Sequence, residues 1–334
     1  MITYPSALLA VLLALGSAPA SALTAEDVQQ ASLGATTRSD TREPDPFIVK
    51  AQVLLSRRSI SPGVIDGIDG ENYRKAIAQF RRQNGLGEGD QLDEQTWSAL
   101  SRDGFGDIVV EYTVSTQDAS TDFPGEIPRD YAKQAAMKRL SYASAQEMYA
   151  ERFHMSEKLL KAFNQGADYA KAGERLLVVS AKRMPIEGSV DRIEAVKDTG
   201  MVVVFGPDER ILASYPATLG NSRAALAAGD YTIKRIARNP TYHYDPEKNF
   251  QQGDNTEKLV LPPGPNNPVG TVWIGLSKPT FGIHGTPEPS LVSKTSSHGC
   301  IRLTNWDAEE LAAMVKPDVP VRIIESQMQA ASAP

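Results

Sequence analysis

Near residue 190 the periodicity of the chain changes, and that change limits the architectures open to it. Upstream, apolar residues recur at helical spacing: Val49, Val53 and Leu54 form one stripe, and Tyr73, Ile77 and Phe80 another. Downstream, "MVVVFG", "ILASYPATLG", "DYTIKRIA", "KLVLPPG", "TVWIGL" and "FGIHG" are short β-rich runs broken by Gly and Pro. A last helix, "DAEELAAMV", starts after Asn305 or Asp307 and precedes the strand "VPVRII". This succession predicts a multidomain α+β chain. Helical units come first, and a mainly-β sandwich or barrel with a short helix follows over 190–325. At 334 residues the chain is long enough for two or three domains, each with its own core.

The apolar share of 41% and charged share of 23% are those of an ordinary folded protein. A net charge of −6 argues against nucleic acid or an anionic membrane as the main partner, because both reward clustered Lys and Arg. At the start, "ALLAVLLAL" is a nine-residue apolar run followed by the small-residue stretch "SAPASALTA". It predicts a secretory signal over 1–22, cleaved after Ala20 or Ala22, which would leave no stable membrane span and place the protein in the periplasm or cell envelope. The segment before the run, "MITYPS", carries no Lys or Arg, so an uncleaved buried helix is the competing reading. Residues 23–45 are polar and read as a flexible lead-in, and 326–334 as a disordered tail.

Cys300 is the single cysteine, in "KTSSHGCIRLTN". An exported chain with one cysteine cannot form an internal disulfide, so Cys300 is either packing or a free thiol. His298 stands two residues before it and His284 sixteen before it. In an extended segment His298, Cys300 and Arg302 share a face. Thiolate formation near neutrality needs an imidazole or a cation, which either histidine and Arg302 supply. Gly285 and Gly299 allow close backbone approach and leave amides for an oxyanion. A zinc site from His284, His298 and Cys300 is the competing reading, but no CxxC or HxxxH pair accompanies it. A buried structural sulfur is the other.

Three stretches resemble known families. "VIDGIDG", "AIAQFRRQNGL" and "TWSAL" are similar to the three-helix peptidoglycan-binding domain, here over 46–102, with Asp93 as an N-cap and Arg81 where that family usually has Gln. A helical spacer that binds nothing is the alternative. After a linker at 115–130, residues 138–182 resemble a small degenerate LysM module with a βααβ order, opening at "SY" and closing at "AGERLLVV". His154 falls in it as a packed or surface residue.

Over 190–325, "PPGPNNPVGT", "FGIHGTPEPSLV" and "SSHGCIRLTNWDAEEL" resemble the catalytic domain of the L,D-transpeptidases, the YkuD-type fold. The resemblance implies that Cys300 is a nucleophile that attacks a peptidoglycan stem peptide and releases D-alanine. It also implies that His284 is the general acid/base, that the Gly285 carbonyl orients the imidazole, and that His298 is an accessory. Amides of Gly299 and Cys300 would form the oxyanion hole, and Arg302, with Ser297 beside it, would bind substrate. The acceptor would be a neighbouring stem amine, giving a 3–3 crosslink, or an outer-membrane protein. Stem peptides and glycan are the implied partners, with no metal and no cofactor. An L,D-carboxypeptidase or crosslink hydrolase using the same nucleophile is an alternative, as is a non-catalytic wall-binding scaffold. His243 reads as a rim residue, and Trp273 and Trp306 as core or groove-wall aromatics.

Overall fold

A computed structural model describes residues 23–34, 42–104, 106–184, 186–220, 227–248, 250–295 and 299–326. The predicted signal over 1–22 and nearly all of the predicted tail lie outside them. The first half builds a helical unit. Its helices α1 (Ala25–Gln30), α2 (Pro46–Arg57), α3 (Glu71–Gln83) and α4 (Glu94–Ser101) are followed by strand β1 (Val109–Thr113). Helices α5 (Thr116–Ala119), α6 (Tyr131–Ala135), α7 (Ala145–Arg152) and α8 (Glu157–Phe163) come next, then β2 (Arg175–Val179).

Local chemistry starts these helices. Asp45 accepts from Phe47 N and Ile48 N at the head of α2, where Pro46 occupies a position that has no hydrogen bond to lose. Asp93 caps α4 by accepting from Thr96 N at 2.8 Å. Ser144 and Ser156 do the same for α7 and α8.

Several expectations for this half need correction. The lead-in is not uniformly flexible: α1 closes a capping box between Thr24 and Asp27 and buries Val28 completely. The stretch 115–130 holds the short helix α5, whose Asp118 is buried and ion-paired with Arg152. The strand expected to open the second module at Leu140 is absent there, and β1, thirty residues earlier, pairs antiparallel with β2 instead. One continuous apolar core runs from Leu23 to Ala181, so the helices of 46–101 and the β1/β2 unit pack as one body. His154 lies in the α7–α8 turn at φ +58°. It is half-buried there, with its ring stacked on Trp306 at 5.1 Å.

The second half contains β3 (Arg192–Val196), β4 (Met201–Phe205), β5 (Ile211–Pro216), β6 (Gly229–Arg238), β7 (Tyr242–Tyr244), β8 (Leu259–Leu261), β9 (Val272–Leu276), β10 (Gly282–His284) and β11 (Ile301–Arg302). Helix α9 (Asn305–Met314) and β12 (Pro320–Ile324) complete it. Eight of these strands form one mixed sheet in the order β11-β10-β9-β6-β12-β3-β4-β5, with β7 and β8 as a separate hairpin. The sandwich-or-barrel expectation resolves into a curled sheet. Its two edges meet where Thr218 and Arg302 exchange backbone hydrogen bonds of 2.9 and 3.0 Å. Ile193, Val204, Ile233, Ile274, Ile283 and Leu311 fill its interior. Thr304 caps α9, accepting from Asp307 N, so the helix begins at Asn305.

The halves are joined by polar contacts. Ser61 N donates to Ser214 O, and Ser214 N to Ser59 O, both at 2.8 Å, which covers the exposed edge of β5. Arg183, almost fully buried, donates to Asp307 and to Glu310 on α9, both at 2.5 Å. Ser61 Oγ and Tyr215 OH donate to the same two carboxylates, so both of them are held from two sides.

Candidate active site

The parallel pairing of β10 with β11 assembles the site. Ile283 lies opposite Ile301 and His284 opposite Arg302, which sets Cys300 level with Gly282. Side chains alternate across a strand, so once Ile283 and Ile301 enter the core, His284, Cys300 and Arg302 face the other way together. The predicted common face of Cys300 and Arg302 follows from this register. On its other side β10 pairs with β9, placing Trp273 beside His284 with their rings stacked at 5.6 Å.

The His284 Nδ1 lies 2.6 Å from the Gly285 carbonyl oxygen. A carbonyl only accepts, so Nδ1 carries the proton and Nε2 keeps the lone pair a base requires. Burial and the Arg302 guanidinium lower the His284 pKa to about 3, with the Gly285 carbonyl opposing them. The imidazole is therefore neutral near neutrality. Burial pushes the Cys300 thiol up, while the Gly282 backbone and Arg302 favour the thiolate. The resting pair is a neutral thiol and a neutral imidazole. Cys300 Sγ also reaches the Thr280 carbonyl at 3.8 Å.

Asn305 braces the loops behind this pair. Its Oδ1 accepts from Thr271 N at 3.2 Å and Thr286 N at 3.1 Å. Its Nδ2 donates to Glu151 Oε2 on α7 and to Pro265 O. Gly285 and Gly270 must be glycine for this: a Cβ on either would lie 2.2 or 2.0 Å from Asn305 Oδ1.

His284, Gly299, Cys300 and Arg302 open into one cleft of about 320 Å³, walled by Tyr131, Tyr242, Phe250, Trp273 and Phe281, with Lys248 at its margin. Gly285 is brought into the site through its carbonyl. Ser297 and His298, expected as a substrate contact and an accessory, lie outside the described residues. Trp273 is a cleft wall, whereas Trp306 is buried against His154. His243 is exposed, its Nε2 3.2 Å from Thr241 Oγ1, and lines a neighbouring lobe shared with Tyr242 and Lys248. Among the described residues no three His, Cys, Asp or Glu side chains are placed to hold a metal ion together. Sequence reasoning missed Tyr131, Tyr242, Lys248, Asn305 and Glu151; only Asn305 carried a signal, its place at the head of the final helix.

Residues 191–323 match the family model of the YkuD L,D-transpeptidase catalytic domain. This part of the chain is an L,D-transpeptidase catalytic domain. Over 106 residues it is 48% identical to the YkuD protein of Bacillus licheniformis, an alignment that covers 30% of this chain and 64% of the relative. Over 129 residues it is 30% identical to the YkuD protein of Bacillus subtilis, covering 39% and 63%. The chain thus spans less than two thirds of the length of these relatives. Among solved structures, L,D-transpeptidase 3 of Mycobacterium tuberculosis aligns over 48% of this chain and 77% of its own, at 17% identity and a TM-score of 0.34, too low to carry an argument. The transpeptidase domain begins beyond the helical unit, so α1 to β2 lie outside the match.

Proposed function

We propose that the chain is an exported cysteine L,D-transpeptidase that remodels peptidoglycan through Cys300. The observation that carries this reading is the proton-bearing Nδ1 of His284 held on the Gly285 carbonyl, with Nε2 left as a base on the strand beside Cys300. A tetrapeptide stem enters the cleft and its carboxylate pairs with Arg302. That pairing removes one of the two influences holding the His284 pKa down, so substrate binding itself raises the imidazole's basicity. Nε2 takes the thiol proton as Sγ attacks the carbonyl of the third stem residue. The oxyanion forms against the amides of Gly299 and Cys300. Collapse breaks the amide bond, His284 returns the proton to the departing D-alanine amine, and a thioester remains. An acceptor amine, from a neighbouring stem or an outer-membrane protein, attacks the thioester and loses its proton to His284. Cys300 leaves as the thiolate and recovers that proton.

The helical unit, in this reading, holds the enzyme on its insoluble polymer, where raised effective concentration favours both half-reactions. The sequence similarity of 46–102 to peptidoglycan-binding domains supports that role. The signal-like run at 7–15 supports export to the periplasm or cell envelope. Among the described residues no helix is long and apolar enough to cross a membrane. Incubation with purified disaccharide-tetrapeptide, followed by mass spectrometry, tests the proposal. D-alanine release with crosslinked dimer is the expected result, and no release would refute it.

A further inference from the structure

The segment from residue 127 to 140 lies outside the matched domain, yet it straps itself across the catalytic domain beside Cys300. Gln252 Oε1 accepts from Tyr131 N at 3.1 Å, and Gln252 Nε2 donates to Arg129 O at 3.0 Å. Asn255 Nδ2 donates to Asp130 Oδ2 at 3.1 Å. Further along, Leu140 N donates to Pro263 O, and Asn266 N to Leu140 O. The strap is thereby held at both ends, and α6 rides on the β7–β8 hairpin. Its Tyr131 ring meets Tyr244 at 5.3 Å and Tyr242 at 5.9 Å, both nearly edge-on, and projects into the Cys300 cleft.

We propose that Tyr131 is a substrate-binding residue of this cleft, its phenol hydroxyl sharing with Arg302 the terminal carboxylate of a peptide donor. The assignment rests on the peptide-donor reading given above. Among the described residues, the charged side chains lining the cleft are those of Lys248 and Arg302, both cations. Lys248 lies 3.5 Å from Asp245. Arg302 has no carboxylate within ion-pair distance among the described residues, and its buried Nε has no hydrogen-bond partner. An arginine left so in a partly buried cleft is set up for an incoming anion. Tyr131 and Arg302 line the same cleft, and burial raises the Tyr131 phenol to about 12 against the opposing guanidinium, so the hydroxyl keeps its proton and donates. The aromatic faces of Tyr131, Tyr242 and Phe250 suit the aliphatic part of such a donor.

The test uses the full chain carrying Cys300→Ala, titrated by calorimetry with disaccharide-tetrapeptide and with the same molecule amidated at its terminal carboxylate. The free acid is expected to bind about tenfold more tightly than the amide. Adding Tyr131→Phe, which keeps the ring packing, should weaken free-acid binding about fivefold and leave the amide unchanged. Unchanged free-acid binding overturns the assignment, and so does an equal loss on both ligands, which would report packing alone. D-alanine release by the wild-type chain separates the two levels. Release with no Tyr131 effect refutes Tyr131 alone, and no release refutes the donor reading beneath it.

Discussion

Asn305 on α9 donates through Nδ2 to Glu151 Oε2 on α7 at 2.9 Å, joining the catalytic domain to the helical unit at a buried carboxyl behind the His284 loop. The amide's other end holds Thr271 N and Thr286 N, two residues from His284. Asn305→Ala would orphan two buried backbone donors at once, at a cost of about 2–4 kcal/mol. The expected result is a matching loss in denaturant unfolding and a fall in kcat larger than any change in KM, because the Gly285 carbonyl loses its support. Glu151→Gln keeps an acceptor and should cost under about 1 kcal/mol.

Glu151 also makes stability depend on pH. Burial raises its pKa to about 8, against the donation from Asn305. Between the ordinary carboxyl value of 4.5 and about 8, the unfolded chain releases this proton while the folded chain keeps it. Its contribution is thus full below pH 4.5 and is lost as pH rises toward 8. Glu151→Gln should remove that decline, so urea midpoints of the variant and wild type should diverge in the variant's favour between pH 5 and pH 8.

His284 works in the opposite direction. Its folded pKa of about 3 lies below the ordinary 6.5, so the unfolded state takes up the proton first as pH falls. The associated stability is present above pH 6.5 and is lost progressively toward pH 3. His284→Asn should flatten that part of the stability profile and abolish D-alanine release, while the acid limb of the wild-type kcat/KM profile, which follows the free enzyme, should lie near pH 3.

The Arg183 clasp accounts for much of the seam between the halves. Its side chain is 8% exposed and that of Asp307 is 0% exposed. Arg183→Met leaves two carboxylates near the seam without their shared cation, and a loss of about 3–5 kcal/mol in urea unfolding is expected. The Tyr215 hydroxyl and Ser61 remain to hold them, but neither supplies charge.

Cys300 reactivity gives a further check. Burial sets its pKa above the ordinary 9.0, with Arg302 acting against that shift. Alkylation by iodoacetamide should be slow at pH 7 and rise through the alkaline range, and Arg302→Met should move the midpoint higher still.

What could be read from the sequence was local. The alternation of "GCIR" is enough to put Cys300 and Arg302 on one face, and an aspartate before "EQTWSAL" is enough to cap α4. What escaped depended on distant partners. β1 is defined by pairing with β2 more than sixty residues later, so nothing in "VVEYT" marks its partner. Glu151 looks like any charged residue on an amphipathic helix until Asn305, from another domain, buries it. Tyr131 follows a Pro- and Gly-containing stretch that reads as a connector, and only the contacts of Gln252 and Asn255 turn it into a cleft wall.

Intact-protein mass spectrometry of the full chain, quenched within seconds of mixing with disaccharide-tetrapeptide, tests the nucleophile most directly. The expected result is an adduct equal to the donor minus D-alanine, located on the peptide containing Cys300, absent in Cys300→Ala and lost in His284→Asn. An adduct on another residue, or D-alanine release that persists in Cys300→Ala, would contradict the role assigned to Cys300.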